Sequence, residues 1–422
     1  MVQSPFARAS LALLLAAVLR AAHADPISLC TLADTQFSRS EFVAAADSYR
    51  AALALDPRTA RAYWGLGRID QLQVRRTSAR DHFSAAYRLN PRDPEIILSY
   101  AEFVSGPAIR SVLFRNFLAV ASPSDPRVED VKAKLLIEHK VGERKIGRLT
   151  SPYRAYALKL GGFYPGRQDP AGWILPVRIN GGKTLRLVFD TGAKGIVLGR
   201  RSARNLNLEI LAESSVGGLG PGGPQGAQVA LANTVTIGEL VLEDCLTQVA
   251  DAWLFEGADG VIGGSVFEQF LLRLDARART LELIPFDAEP RLDGSVAAYL
   301  HGHLLLVPVT VNDATERMFL LDTGSAYSSI SREIAGPSIS DPRQSVALMG
   351  ARGALRDAFP ASSTSLRVAG GKWQDPSLVA FDLSEMSRHE GIEIAGMLGY
   401  SLLRRTVLTI NYRDGLVKIA GR

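Results

Sequence analysis

Two different hydrophobic patterns divide the chain. Between residues 30 and 125, apolar and small residues recur at the spacing of one helix face. From about residue 172 onward, short apolar runs alternate with polar residues and are separated by Gly and Asn. The first pattern predicts packed helices, and the second predicts β-strands joined by tight turns. We therefore expect an α+β protein in which a helical part precedes an all-β part.

The helical part repeats after 34 residues, the distance from Asp56-Pro57 to Asn90-Pro91. Further matching positions are Leu32, Ala45, Tyr49 and Ala52 in the first copy and Leu66, Ala79, Phe83 and Ala86 in the second. This spacing resembles that of tetratricopeptide repeats (TPRs), which are stacked helix pairs. A degenerate third copy spans residues 95–126, and residues 128–139 would form a solvent-facing capping helix. Such a solenoid is either a docking surface for a peptide or partner protein, or a stabilising appendage.

The β-rich part contains its own duplication. Residues 176–180 recur as residues 308–312 with three identities, and the same offset of 132 carries Asp190-Thr191-Gly192 onto Asp322-Thr323-Gly324. In each copy a strand runs into Asn-Gly or Asn-Asp, which favour the positive φ angles of a tight hairpin. The next apolar strand ends in the Asp, so each acid is predicted at the end of the returning strand of a hairpin.

A second match lies downstream. Residues 259–267 match residues 395–403 at an offset of 136, and each of these segments precedes two strand-like runs. The chain therefore contains two copies of one β-rich unit.

Asp-Thr-Gly followed by Ala or Ser, then a glycine-rich stretch, then two apolar residues and Gly, resembles the pattern of aspartic proteases. The nearest likeness is to the retroviral-type (retropepsin-like) lobe, here in tandem as in a pepsin-like chain. The resemblance implies two all-β lobes that form a bilobal aspartic protease with Asp190 and Asp322 as catalytic acids. Two carboxyl groups in contact share one proton, so one can act as base on water while the other hydrogen-bonds the scissile carbonyl. No cofactor is expected.

The resemblance also assigns supporting roles to the residues that follow each acid. These residues are Thr191, Gly192, Ala193, Thr323, Gly324 and Ser325. The threonine hydroxyls would reach across to the backbone of the opposite lobe, and the backbone around the glycines would approach the acids. The alanine and the serine differ, and a serine hydroxyl can hydrogen-bond its own lobe's carboxylate, which would make the acids inequivalent. Which Asp is the base stays open.

A glycine-rich segment, residues 216–228, lies where the family has a mobile flap that closes over substrate. The candidate flap residues are Gly217, Gly218, Leu219 and Gly220. An ordinary flexible loop is the alternative interpretation. The corresponding segment of the second copy, residues 349–353, has fewer glycines and carries an Arg, so the two would not be equivalent.

His301 and His303 raise the question of a metal site. A third ligand at suitable spacing is absent from the sequence, so a histidine pair at a strand edge is the preferred interpretation and no metal is expected. Only two cysteines occur, Cys30 and Cys245, and they lie in different predicted domains. They do not indicate a disulfide scaffold, although a single bridge stays possible.

Residues 1–24 resemble a secretory leader. Arg8 precedes an apolar core at residues 11–19, and Ala22-His23-Ala24 is a small-x-small cleavage site. The core is too short to span a membrane, and no later apolar run approaches a spanning length. We therefore expect an exported protein, periplasmic or secreted. The formal charge of +5 falls to +3 on loss of the leader's two arginines, which is too mild to indicate nucleic acid binding.

The domains predicted after the leader are TPR-like helical repeats at 25–140, a basic linker at 141–169, and protease-like lobes at 170–290 and 291–422. We expect an exported aspartic endopeptidase that acts as a monomer on polypeptide substrates, with a possible protein partner at the repeats. A homodimer in which each lobe pairs with its twin is one alternative. Others are an inactive protease-like binding protein of the cell envelope and a purely structural scaffold.

Overall fold

A computed structural model of the protein describes residues 25–166, 169–217, 225–252, 257–288, 292–336, 339, 345–350 and 353–421. The expected leader at 1–24 lies outside the described residues. None of the helices in these ranges combines the length and the apolar character needed to cross a membrane.

The chain forms two compact units. Of the described residues, the first unit contains those from Asp25 to Asp70 together with Arg76–Val104, and the second contains Gln71–Arg75 and those from Ser105 onward. The helices that fall mainly in the first unit are α1 (Pro26–Ser38), α2 (Phe42–Leu55), α3 (Ala60–Leu72), α4 (Arg76–Leu89) and α5 (Pro94–Ala101). Helices α1, α3 and α5 begin 34 residues apart, so the helix pairs follow the predicted repeat.

Local sequence explains where these helices begin and how they pack. Asp25 caps α1 by accepting the backbone N–H groups of Ile27 and Ser28, and Asp93 caps α5 ahead of a proline at its first position. Phe37 and Phe42 are buried and meet edge to face, with 5.4 Å between ring centroids. These contacts hold α1 against α2.

Two further helices belong to the second unit. They are α6 (Pro107–Val120) and α7 (Arg127–Val141). Val141 of α7 is buried against Leu211 and Leu231, with Ile137 beside it. The helix expected to be a solvent-facing cap therefore packs its apolar positions on the β-rich part of the chain.

The first lobe is a nine-stranded sheet with a short helix, α8 (Arg200–Ala203). Its strands are β1 (Arg148–Leu149), β3 (Gly161–Phe163), β4 (Gly172–Ile179), β5 (Thr184–Asp190), β6 (Ile196–Gly199), β7 (Glu209–Val216), β8 (Gln225–Ile237), β9 (Leu240–Ala250) and β10 (Gly260–Gly263). A strand numbered β2 (Tyr156–Lys159) precedes β3 and belongs to another sheet.

The second lobe is a ten-stranded sheet with three short helices, α9 (Arg332–Ala335), α10 (Ser384–Glu390) and α11 (Tyr400–Leu403). Its strands are β14 (Tyr299–His301), β15 (Leu304–Val311), β16 (Glu316–Leu321), β17 (Ser329–Ser331), β18 (Val346–Gly350), β19 (Gly353–Pro360), β20 (Ser365–Val368), β21 (Gly371–Gln374), β22 (Val379–Phe381) and β23 (Gly396–Leu398).

A six-stranded sheet joins the two lobes. It contains β2, β11 (Leu271–Asp275), β12 (Thr280–Ile284), β13 (Val296–Ala297), β24 (Thr406–Asn411) and β25 (Leu416–Gly421). Strand β11 from the first copy pairs antiparallel with β24 from the second, with Leu272 opposite Ile410. One apolar core runs through both lobes and this sheet. The α+β architecture with two tandem β lobes is the one that the sequence predicts.

The segment expected to be a linker, residues 141–169, is largely built into the second unit. Strand β1 pairs with β9, β2 with β12, and β3 with β4. Tyr156 and Leu158 of β2 are buried, because alternate residues of this strand face the core. Cys30 and Cys245 are both buried free thiols, so no bridge joins them.

Candidate active site

Each acid lies at the end of the second strand of a tight hairpin, as the sequence predicts. In the first lobe, Asn180 and Gly181 both have positive φ angles, and β5 returns to end at Asp190. In the second lobe, Asn312 and Asp313 take the same conformation, and β16 ends immediately before Asp322. The duplicated turn residues therefore present the two carboxyl groups in equivalent ways.

A parallel strand lies beside each acid-bearing strand and explains the second repeated motif. Strand β10 pairs with β5 so that Gly263 lies opposite Asp190, and β23 pairs with β16. A Cβ atom on Gly263 would lie 2.2 Å from the carbonyl oxygen of Ala193, and one on Gly399 would lie 2.3 Å from that of Tyr327. The backbone after each acid approaches these glycines too closely for any side chain.

The two acid turns meet face to face within one chain. The carboxyl groups of Asp190 and Asp322 hydrogen-bond to each other. A Cβ atom on Gly324 would lie 2.3 Å from Cγ of Asp190, and one on Gly192 would lie 3.0 Å from Cγ of Asp322. Each lobe's glycine thus faces the carboxyl group of the other lobe, and both carboxyl groups share one small site.

Crossed threonine hydrogen bonds hold the turns together. The Thr191 hydroxyl donates to the carbonyl of Leu321 at 2.7 Å, and the Thr323 hydroxyl donates to the carbonyl of Phe189 at 2.8 Å. Both threonines are buried. The threonine hydroxyls therefore reach the backbone of the opposite lobe, which the resemblance to aspartic proteases implied.

The pair binds a proton more tightly than an ordinary carboxylate. Burial, the charge of Asp322 and the hydrogen bond to Asp322 raise the pKa of Asp190 well above its usual range. Burial also raises the pKa of Asp322, but the hydrogen bond from Asp190 and the N–H groups of Gly324 and Ser325 oppose this shift. Two adjacent acids cannot both ionise cheaply, so one proton is held between them.

Backbone donors make the two acids inequivalent. Asp322 accepts the N–H groups of Gly324 at 2.9 Å and Ser325 at 3.0 Å. The Asp190 carboxyl group accepts the N–H of Gly192 at 2.8 Å and interacts more weakly with the Ala193 N–H, which donates to the Asp190 main-chain carbonyl at 3.1 Å. The Ser325 hydroxyl donates instead to the carbonyl of Tyr327 at 2.9 Å. The expectation that this hydroxyl could bond its own lobe's carboxylate is therefore wrong, and the inequivalence comes from the Ser325 N–H.

Of the flap candidates, only Gly217 is among the described residues, and it lies at the end of a long hairpin. Strands β7 and β8 pair as far as Val216 opposite Gln225, and Gly217 follows β7. Gly218, Leu219 and Gly220 lie outside the described residues. A second hairpin, β18 with β19, ends with Gly350 opposite Gly353 in the other lobe.

The structure brings a histidine to the site that the sequence analysis treated only as one of a strand-edge pair. Nε2 of His303 lies 3.1 Å from the carbonyl oxygen of Gly192. Burial and the nearby Lys194 lower the pKa of His303 to about 4. Its neighbour His301 contacts the carbonyl of Glu390 at 3.0 Å. Because His303 and Gly192 are far apart in sequence, no local pattern marks their contact.

Tyr412 is a second residue that sequence reasoning missed. It is buried directly after β24, and a Cβ atom on Gly264 would lie 2.3 Å from its hydroxyl oxygen. Burial and the charge of Asp190 raise the pKa of Tyr412. Over the part of the chain that the structure describes, this hydroxyl has no hydrogen-bond partner. In the same residues, no group of three or more His, Cys, Asp or Glu could hold a metal ion.

Comparison with known families agrees with this geometry. Residues 175–266 and 307–402 each match the family described as aspartyl protease. These segments include both acid turns and both glycine strands that lie beside them. A search of curated proteins found no match. Each of the two β lobes of this chain therefore contains a segment that matches the aspartyl protease family.

Proposed function

We propose that the protein is an aspartic endopeptidase that hydrolyses peptide bonds with a water molecule activated between Asp190 and Asp322. The observation that carries the proposal is the close approach of these two carboxyl groups, each supplied by one lobe and each facing the glycine of the other lobe's turn. Both turns are completed within one chain, which supports a monomeric enzyme rather than a homodimer.

The unequal numbers of backbone donors support different catalytic roles for Asp190 and Asp322. Asp322 is the ionised member, because the N–H groups of Gly324 and Ser325 stabilise its charge. Asp190 is the protonated member, because its carboxyl group accepts one backbone hydrogen bond where that of Asp322 accepts two. Asp322 removes a proton from water as the water oxygen bonds to the scissile carbon, and Asp190 donates its proton to the carbonyl oxygen.

The resulting tetrahedral species carries two hydroxyl groups on carbon. Asp322 then passes its proton to the amide nitrogen, and the carbon–nitrogen bond breaks. Asp190 recovers a proton as the carbonyl double bond reforms, so the pair returns to its singly protonated state. The chemistry uses only the two acids and water, with neither a cofactor nor a metal.

The hairpin of β7 and β8 is the proposed flap. Its length and the glycine-rich tip sequence around Gly217 support closure over a bound polypeptide, which would exclude water from the reacting bond. The β18–β19 hairpin of the second lobe has a different tip sequence. We propose that the two sides of the cleft contact substrate differently.

The first unit is the proposed docking surface for substrate or a partner protein. Helix α3 carries Arg61 and Arg68 on one face, and both guanidinium groups lie over the Trp64 ring, at 4.1 and 4.4 Å from its centroid. Arg61 pairs with Asp34 at 3.0 Å. Among the described residues, the Arg68 side chain forms neither an ion pair nor a hydrogen bond.

Arg68 therefore supplies a positive charge that is recessed between aromatic rings and is balanced only at a distance, by the charges of Asp34 and Glu95. It also lies 3.7 Å from the Phe37 ring centroid, and burial lowers its pKa. A carboxylate group of an acidic peptide matches the Arg68 guanidinium in charge and in hydrogen-bonding geometry. Arg68→Gln should weaken binding of acidic peptides in calorimetry, while Arg80→Gln, on the exposed surface of α4, should not.

Residues 1–24 are the proposed export leader, which would place the mature enzyme in the periplasm or outside the cell. The test of the catalytic proposal is digestion of a peptide library at pH 3 to 8, with products identified by mass spectrometry. Wild type should cleave best at acid pH, and Asp190→Asn and Asp322→Asn should not cleave. Full activity in Asp322→Asn would refute the shared site. Peptide binding without cleavage by wild type would instead indicate an inactive binding protein.

A further inference from the structure

A hairpin of the second lobe contacts the acid turn of the first. His303 lies in the tight turn between β14 and β15, and its Nε2 lies 3.1 Å from the carbonyl oxygen of Gly192. A carbonyl oxygen can only accept, so the imidazole donates through its Nε2–H group. This bond crosses between the lobes, as the threonine bonds do, but it reaches the carbonyl of Gly192, two residues after Asp190.

The contact has no counterpart in the other half of the duplication. The offset of 132 that carries Asp190 onto Asp322 places Ala171 at the position of His303. A methyl side chain cannot donate a hydrogen bond. The histidine contact therefore distinguishes the two acid turns, and it acts on the turn that carries Asp190.

The bond holds the peptide group that faces Asp190. The Gly192 carbonyl and the Ala193 N–H belong to the same peptide group. That N–H donates to the main-chain carbonyl of Asp190 at 3.1 Å and also acts to lower the pKa of the Asp190 carboxyl group. A hydrogen bond accepted by the carbonyl polarises that N–H and strengthens its donation. It also limits rotation of the Gly192 backbone, whose own N–H donates to Oδ1 of Asp190 at 2.8 Å.

The imidazole of His303 is neutral at pH values above about 4. Burial and the positive charge of Lys194 lower the pKa of His303 to about 4, with a smaller contribution from His301 in the same direction. The hydrogen bond to Gly192 opposes these effects. A neutral donor orients the turn without placing a positive charge beside the dyad.

We propose that His303 is a positioning residue for Asp190, acting through the Gly192–Ala193 peptide group. This inference rests on the proposed function, since positioning serves the water attack assigned to the dyad. It predicts that a residue of the second lobe changes the pKa of Asp190 in the first lobe. The pKa of Asp322 is instead affected by N–H donors from its own turn.

The test compares His303→Ala, His303→Gln and His301→Gln. Alanine removes the donor, whereas glutamine keeps an N–H donor of similar reach. His301 lies two residues earlier on the same hairpin and bonds to Glu390 rather than to the acid turn, so it is the matched control. Thermal melting shows whether each variant is folded. If His303→Ala is not folded, His303→Gln takes its place in the comparison with wild type.

The first measurement is steady-state cleavage of one peptide taken from the wild-type digest. His303→Ala should lower kcat about tenfold with little change in KM, because a small displacement of a reacting group slows the step more than it weakens binding. His303→Gln should recover most of kcat, and His301→Gln should match wild type. A purely structural role would lower the melting temperature without this pattern.

The second measurement does not need activity. In protein labelled with ¹³C-aspartate, the Asp190 carboxyl resonance is assigned by its loss in Asp190→Asn and is titrated with pH. Its pKa should rise by about half a unit in His303→Ala and not in the other two variants. If wild type cleaves nothing but this shift occurs, the proposed hydrolysis fails and the positioning stands. An unchanged Asp190 titration in folded His303→Ala overturns the inference, as does an equal shift in His301→Gln.

Discussion

Thr191 and Thr323 exchange equivalent hydrogen bonds across the two lobes. The backbone N–H of each donates to the hydroxyl oxygen of the other at 3.0 Å, while each hydroxyl donates onward to a carbonyl of the opposite lobe. Both side chains are fully enclosed, so water cannot replace these bonds. The two acid turns are thereby fixed to each other rather than to their own lobes alone.

Replacing Thr191 by valine should destabilise the second unit. The substitution keeps the shape but leaves the carbonyl of Leu321 and the N–H of Thr323 without partners, which costs about 2–4 kcal/mol of unfolding free energy. Thr191→Ser keeps the hydroxyl and should lose less than about 1 kcal/mol. Urea denaturation followed by tryptophan fluorescence measures both. A valine variant as stable as wild type would show that the crossed bonds carry little stability.

Much of this site is visible in the sequence because the determinants are local and occur twice. Asn180 and Asn312 set the hairpin turns, and the acids follow at a fixed distance. Strand β2 was not predicted, since its partner residues are more than a hundred positions away, as Lys159 is from Thr280. A strand of four residues with one distant partner has no periodic signal long enough to recognise.

The same reasoning explains which site contacts were missed. The contact of His303 with Gly192 depends on how two lobes pack, and neither residue's neighbours encode it. From the sequence, the Ser325 hydroxyl is expected to bond to Asp322, because a sequence identifies side chains and does not show which backbone groups form hydrogen bonds. The structure assigns the bond to Asp322 to the Ser325 backbone N–H, which every non-proline residue has.

The raised pKa of Asp190 predicts how stability depends on pH. An acid whose folded-state pKa is raised binds its proton more tightly when folded, so this contribution to stability is full below the unfolded pKa near 3.8 and is lost as pH rises through the folded pKa. The unfolding free energy of wild type should therefore fall as pH rises above 4.

Asp190→Asn should remove that part of the pH dependence, because asparagine is neutral at every pH. Melting temperatures of wild type and variant, measured from pH 4 to 8, should diverge in favour of the variant as pH rises. Asp313→Asn is the control, since Asp313 pairs with Lys372 and Arg367 and its pKa is lowered. Parallel curves for wild type and Asp190→Asn would contradict a buried shared proton.

Ser325→Ala should leave catalysis almost intact. The lost hydroxyl donates to the Tyr327 carbonyl, while the N–H that contacts Asp322 remains. We expect kcat within about twofold of wild type and no displacement of the pH–rate profile, since the affected bond lies on an exposed side chain. A clear shift of the profile would mean that the hydroxyl acts on the carboxylate after all.

The two dyad glycines should differ in their tolerance of alanine. A Cβ atom on Gly324 would lie 2.3 Å from Cγ of Asp190, so that carboxyl group must move by about 1 Å, a displacement that costs roughly a hundredfold in kcat. A Cβ atom on Gly192 would lie 3.0 Å from Cγ of Asp322 and requires a shift of only a few tenths of an ångström, so Gly192→Ala should lose far less activity. Gly161→Ala on β3 is the control, because its nearest contact would be an ordinary 3.6 Å to Ile174. The kcat values should decrease in the order Gly161→Ala, Gly192→Ala, Gly324→Ala. A lower kcat in Gly192→Ala than in Gly324→Ala would contradict the closer approach of Gly324 to the opposite carboxyl group.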